Sequence, residues 1–93
     1  MSPGDRWRVP KIDEAYAVRD ACLSRNATSE SASIQDAAAA AHALAEICAP
    51  ETEKLVQVAN RDGDSKVAAN IRENSQFRAM GYVLRVRGQL IFL

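Results

Sequence analysis

The chain has 93 residues, twelve basic and twelve acidic side chains, and a hydrophobic fraction of 47%. This describes one globular domain with a single core, too apolar for intrinsic disorder and too short for two cores. No apolar run approaches the ~20 residues needed to cross a bilayer. Aromatic residues make up only 5% of the chain, so the core must be built from Ala, Val, Ile and Leu. Such cores are thin, and small helical proteins with thin cores tend to dimerise. The charge balance is uneven along the chain: residues 1–60 carry a net of −3 and residues 61–93 a net of +3. That asymmetry suits self-association or contact with an acidic partner.

Residues 1–10, MSPGDRWRVP, read as an irregular arm with Trp7 between Arg6 and Arg8. Trp7 either folds back over a core edge or docks on a partner. The segment is polar and broken by two prolines, unlike a signal peptide, so a cytoplasmic location is the default. Residues 11–25 form the first predicted helix, with Pro10 at its start and Asp13 and Glu14 complementing the dipole. Its apolar stripe of Ile12, Ala15, Tyr16, Cys22 and Leu23 is interrupted by Arg19. The Arg19 stem can pack while its guanidinium reaches water, or the head can meet a partner carboxylate. Residues 26–32, rich in Ser, Thr and Asn, read as a loop. The Asn26-Ala27-Thr28 glycosylation pattern carries meaning only in a secreted chain.

Residues 33–49 give the strongest helix signal, because alanine has the highest helix propensity. Ser33 and Asp36 resemble a capping box, and Pro50 stops the helix. Ile34, Ala37, Ala38, Ala41, Leu44, Ala45 and Cys48 form one stripe. Ala39, Ala40, Ala43 and Ile47 lie largely opposite, leaving Gln35, His42 and Glu46 as the polar strip. The pattern predicts a central helix touched on two sides, and one of those neighbours could come from a second subunit. Residues 51–60 form a short helix ended by the turn 60–64. The register Asn60, Asp62, Asp64 is not a calcium loop, since Ser65 and Ile71 stand where glycine and glutamate are required. Asp64 instead caps the next helix.

Residues 65–80 form the last predicted helix, closed by Gly81. Val67 and Ile71 share its stripe with Asn70, Asn74 and Arg78, and Phe77 lies at the edge, so the helix is either peripheral or meets a partner. In residues 82–93, Tyr82, Leu84 and Val86 alternate with Val83, Arg85 and Arg87, a strand pattern that Arg87-Gly88 could turn into a hairpin. The chain stops on Leu90-Ile91-Phe92-Leu93, which needs burial or pairing.

Little chemistry is visible. His42 pairs with Glu46 one turn on but faces no nucleophile. Cys22 and Cys48 with one histidine match no zinc spacing. A hairpin turning at 26–32 sets Cys22 opposite residues 37–39, which leaves Cys48 ~15 Å along the helix, beyond disulfide reach. The four glycines are unclustered and make no phosphate loop. These patterns predict no enzyme, cofactor or metal. A helix-turn-helix around Pro50 lacks a basic recognition helix, because Lys54 stands alone beside Glu51 and Glu53. Arg72, Arg78, Arg85 and Arg87 near Phe77 and Tyr82 offer an alternative, a small nucleic-acid-binding repressor or antitoxin-like module.

Phe77-Arg78-Ala79-Met80-Gly81-Tyr82-Val83-Leu84, a helix ending in Gly-aromatic-aliphatic before an apolar tail, resembles the small helical quorum-sensing anti-activators that sequester LuxR-type regulators. The likeness covers residues 65–93 and implies a cytoplasmic homodimer that binds a transcription regulator without a cofactor. The resulting expectation is an all-α, compact bundle of three to four helices with an extended or β-hairpin tail over 82–93. Its partner surface comprises Asn74, Phe77, Arg78, Tyr82, Leu84, Val86, Leu90 and Phe92.

Overall fold

The computed structural model describes residues 3–89, with side chains from residue 10 onward. It is all-helical among these residues: α1 Pro3–Ser33, α2 Ala37–Ile47, α3 Ala49–Ala59 and α4 Ser65–Val86. The expected bundle is present, but the helix ends differ from the sequence reading in informative ways.

Helix α1 begins at Pro3, so residues 3–10 are helical rather than an irregular arm, and Pro10 lies in the helix interior. The polar stretch 26–32 is also helical. Its side chains bond back to their own helix: Asn26 Nδ2 donates to Cys22 O at 2.9 Å, Ser29 Oγ to Asn26 O at 3.2 Å and Ser33 Oγ to Ser29 O at 2.8 Å. Polar side chains satisfied in this way lose their preference for a loop. Ala27 in the same stretch is fully buried, which anchors it to the core.

The turn therefore falls at 34–36. Asp36, not Ser33, caps α2, its Oδ2 accepting from Ala39 N at 2.8 Å. A hairpin turning at residue 35 sets opposite each other residues whose numbers sum to about 70, since both arms rise equally per residue. Cys22 and Cys48 meet that condition and form a disulfide, with Cα atoms 5.9 Å apart. This overturns the expectation that they could not reach each other, because the turn lies further along the chain. Ala15 and Leu55 obey the same relation and share a second core cluster with Ile71. Beyond a turn at Cys48, α3 thus continues the course of α2 along α1.

Helix α2 buries one stripe only, Ala40, Ala41, Leu44 and Ala45, and leaves Ala38, Ala39 and Ile47 exposed. That stripe packs against both α1 and α4, while the face carrying Ala39 and Ile47 is uncovered within this chain. Its inner stripe, with Cys22, Leu23, Ala27, Cys48, Ala79 and Val83, makes the main core.

Helix α4 closes the bundle. Asp64 caps it as expected, Oδ1 accepting from Lys66 N at 2.8 Å after a turn with Gly63 at φ 69°. It does not stop at Gly81 but runs to Val86. The stop is a Schellman motif at Gly88, φ 71°, with Gln89 N donating to Leu84 O at 2.8 Å and Gly88 N to Arg85 O at 3.0 Å. Residues 82–86 are therefore helix, not strand. Buried Ala79 and Val83 at helical spacing outweigh the alternating pattern that follows them. Leu90 to Leu93 lie outside the described residues.

Candidate interaction surface on the fourth helix

Helix α4 presents three kinds of surface. Its inner line, Ala68, Ile71, Ser75, Ala79 and Val83, is buried. The flanks carry polar side chains that bind the other helices. The outer line carries Phe77.

On the flank facing α1, Arg19 is 1% exposed, so its guanidinium does not reach water. Its Nη1 donates to Asn74 Oδ1 at 2.8 Å and Ser75 Oγ at 3.1 Å, and its Nη2 to Asp20 Oδ1 at 2.9 Å. The same guanidinium lies 5.0 Å over the Tyr16 ring. Thr52 Oγ1 donates to Ser75 Oγ at 3.1 Å, which brings α3 into the network. Arg78 approaches Asp20 Oδ2 at 3.6 Å and sits 5.6 Å over the Tyr82 ring. A buried cation with this many partners is the arrangement that offsets desolvation. The polar intrusions at Asn74 and Arg78 thus have an internal explanation, and the carboxylate that Arg19 meets belongs to its own neighbour in sequence.

Two further arginines are similarly engaged. Arg72 donates through Nε to Glu53 Oε2 at 2.9 Å and through Nη2 to Glu53 Oε1 at 2.7 Å. These bonds hold the Glu53 carboxyl below its ordinary value and raise that of Arg72. Arg87 closes α1: its Nε donates to Ser31 Oγ at 2.7 Å, Nη1 to Gln35 O at 2.7 Å, and Nη2 to the carbonyls of Ser31 and Ile34. A cation on the last carbonyls of a helix also meets the negative end of its dipole. Of the four arginines nominated for nucleic acid, only Arg85 makes no such contact among the described residues.

Phe77 is 77% exposed, the most exposed large apolar side chain described. At 3.6 residues per turn, Gly81 and Leu84 fall within about 40° of it. Both are half-buried. Gly81 makes the surface shallow there, with open space where a Cβ would stand. Tyr82 instead packs partly against the main core, and Val86, 44% exposed, lies half a turn from Phe77. The structure therefore brings Phe77, Gly81 and Leu84 together and assigns Asn74, Arg78 and Tyr82 to internal contacts. Leu90 and Phe92 lie outside the described residues. Sequence reading missed the Arg19 network, although an arginine and an asparagine intruding on two apolar stripes were its visible trace.

Between α2, α3 and α4 lies an open groove of about 250 Å³, with Ala45 and Ala49 on one wall, Thr52 and Ser75 at its floor and the Glu53–Arg72 pair at its rim. His42 pairs instead with Glu46, Nε2 to Oε1 at 3.3 Å, both side chains exposed. No helix among the described residues is long and apolar enough to cross a membrane.

Compared with protein-family models, curated proteins and solved structures, the chain finds no match in any of the three.

Proposed function

We propose that this protein acts by binding another protein through the outer face of α4, with Phe77 as the anchor. The observation that carries the reading is the 77% exposure of Phe77 beside half-buried Gly81 and Leu84 on the outer line of α4. Aromatic residues, Phe among them, are enriched at protein–protein interfaces relative to the rest of the surface. Nucleic-acid binding is the weaker reading, since Arg72, Arg78 and Arg87 are engaged within the fold.

The narrower form of the proposal follows the resemblance over residues 65–93: a cytoplasmic homodimer that sequesters a LuxR-type transcription regulator. The outer face of α4 supports it by offering a binding surface inside that segment. The helix that continues through Gly81, and the Cys22–Cys48 bridge, weigh against it.

The test is site-specific photo-crosslinking in the native cell, with the crosslinker at position 77 and, as a control, at exposed Val18 on α1. The expected result is one discrete adduct from position 77, lost when Leu84 is changed to Asp and absent from position 18. Equal labelling from both positions, or none from 77, overturns the assignment. Adduct mass distinguishes a second copy from a foreign partner, and sedimentation of Phe77→Ser against wild type checks the dimer.

A further inference from the structure

Cys48 occupies a joint. It ends α2 and begins α3, its backbone leaves helical geometry at φ −95° and ψ 14°, and its side chain supplies no cap to α3. Pro50 follows within the first turn and contributes no N–H. What attaches this joint covalently to α1 is the bond to Cys22. One turn beyond it, Thr52 enters the hydrogen-bond network around Ser75 and Arg19. The joint therefore sets the position of α3 against both α1 and α4.

Both cysteines belong to the main core, Cys48 at 0% exposure and Cys22 at 3%. Exchange requires a thiolate to approach a sulfur, and a bridge sealed in this way gives it no path. Redox-sensing cysteines are exposed and surrounded by positive charge. These two are enclosed mainly by alanine, leucine and valine, with one polar neighbour, the half-buried Asn26, whose Nδ2 donates to Cys22 Sγ at 3.7 Å. Permanent buried bridges belong to oxidising compartments and are rare where thiols are kept reduced.

We infer that the Cys22–Cys48 bridge is a permanent pin of the α2–α3 joint, formed as the chain folds in an oxidising compartment, and that the protein works there. The oxidant is a disulfide-bearing oxidoreductase. The thiolate of one cysteine attacks its disulfide to form a mixed disulfide, and the second thiolate then displaces the oxidoreductase sulfur. The chain gives up two electrons and two protons, and the oxidant departs as a dithiol. The inference deepens the broader binding proposal and rests on it for one step: the protein that meets Phe77 occupies the same oxidising compartment. It and the narrower form, a cytoplasmic protein that sequesters a LuxR-type regulator, exclude each other, and the thiol count decides between them.

The experiment uses the full chain from its native cell, quenched in acid. It is then unfolded in denaturant with N-ethylmaleimide, with and without prior reduction, and weighed intact. Denaturant ensures that burial hides no thiol. The expected result is no adduct without reduction and two with it. Two adducts on most of the protein without prior reduction overturn the inference. A second measurement reads the pin directly, as the rate at which dithiothreitol releases thiols from folded and from denatured protein. A folded chain about 100-fold slower fits a sealed bridge, and equal rates overturn it. Thiol counting is independent of crosslinking at position 77, so failure of one proposal is distinguishable from failure of the other.

Discussion

The Arg19 guanidinium donates to Ser75 Oγ across 3.1 Å inside the bundle, and the Thr52 hydroxyl donates to the same oxygen, so one buried serine joins α1, α3 and α4. Removing the cation leaves Asp20, Asn74 and Ser75 without their shared donor. Arg19→Ala should cost about 3 kcal/mol in urea unfolding, more than Ser75→Ala at about 1–2 kcal/mol. A loss below about 1 kcal/mol for Arg19→Ala would mean that the guanidinium reaches water after all.

The two glycines of the last helix should respond in opposite directions. Gly81 is interior to α4, with room for a Cβ, so Gly81→Ala should stabilise by about 1 kcal/mol. Gly88 holds φ 71°, and Gly88→Ala should destabilise by about 1 kcal/mol. Thermal denaturation of the pair reads where the helix ends. If the helix stopped at Gly81, Gly81→Ala would destabilise instead.

Arg87 and Arg85 lie two residues apart with different roles. Arg87→Ala strips the cap from α1 and should cost about 2 kcal/mol. Arg85→Ala should stay within about 0.5 kcal/mol. If the chain bound single-stranded nucleic acid through both, each change would also flatten the salt dependence of binding to an oligonucleotide. The protein-binding reading expects no measurable oligonucleotide affinity in either case.

The Glu53–Arg72 pair gives a pH signature. Hydrogen bonds from Arg72 hold the folded Glu53 carboxyl below its ordinary value of 4.5. Its contribution is therefore present above that value and lost as pH falls through the lower folded one. Thermal midpoints of wild type and Glu53→Gln should converge as pH falls from about 5 to about 3. Both side chains are about half exposed, so the effect should be small and weaken with added salt. A difference that grows toward acid would contradict the lowered value.

Reduction should weaken the fold without erasing its helices. Closing a loop across a separation of 26 removes about 3–4 kcal/mol of unfolded-chain entropy. The double variant Cys22→Ala and Cys48→Ala should lose a similar amount in guanidinium unfolding while keeping most of its helical circular dichroism.

The helical class, the Asp64 cap and the turn before α4 could all be read from local sequence, because each rests on residues within a few positions of one another. The end of α1 could not. Asn26, Ser29 and Ser33 look like loop residues until their bonds to the preceding turn are counted, and the packing of Ala27 is not visible locally. Misplacing that turn by a few residues hid the disulfide, since the facing register moves with it. Arg19 and Asn74 each stood out on their own stripe, but only the packing of α1 against α4 shows that they answer each other. At the candidate surface, Phe77 lay at the edge of a mixed stripe, and its exposure became clear only once Asn74 and Arg78 were seen to contact α1 from the neighbouring flank.

Arg19 bonds Ser75 and Ser31 bonds Arg87, both across 56 residues. Contacts between such distant positions slow folding, because the intervening chain must be gathered before they form. The Cys22–Cys48 bond provides a shortcut: through it, the path from Arg19 to Ser75 shrinks to about 30 residues, lowering the closure cost by about 0.5 kcal/mol. The oxidised chain should therefore refold faster than the reduced one, as well as unfold less.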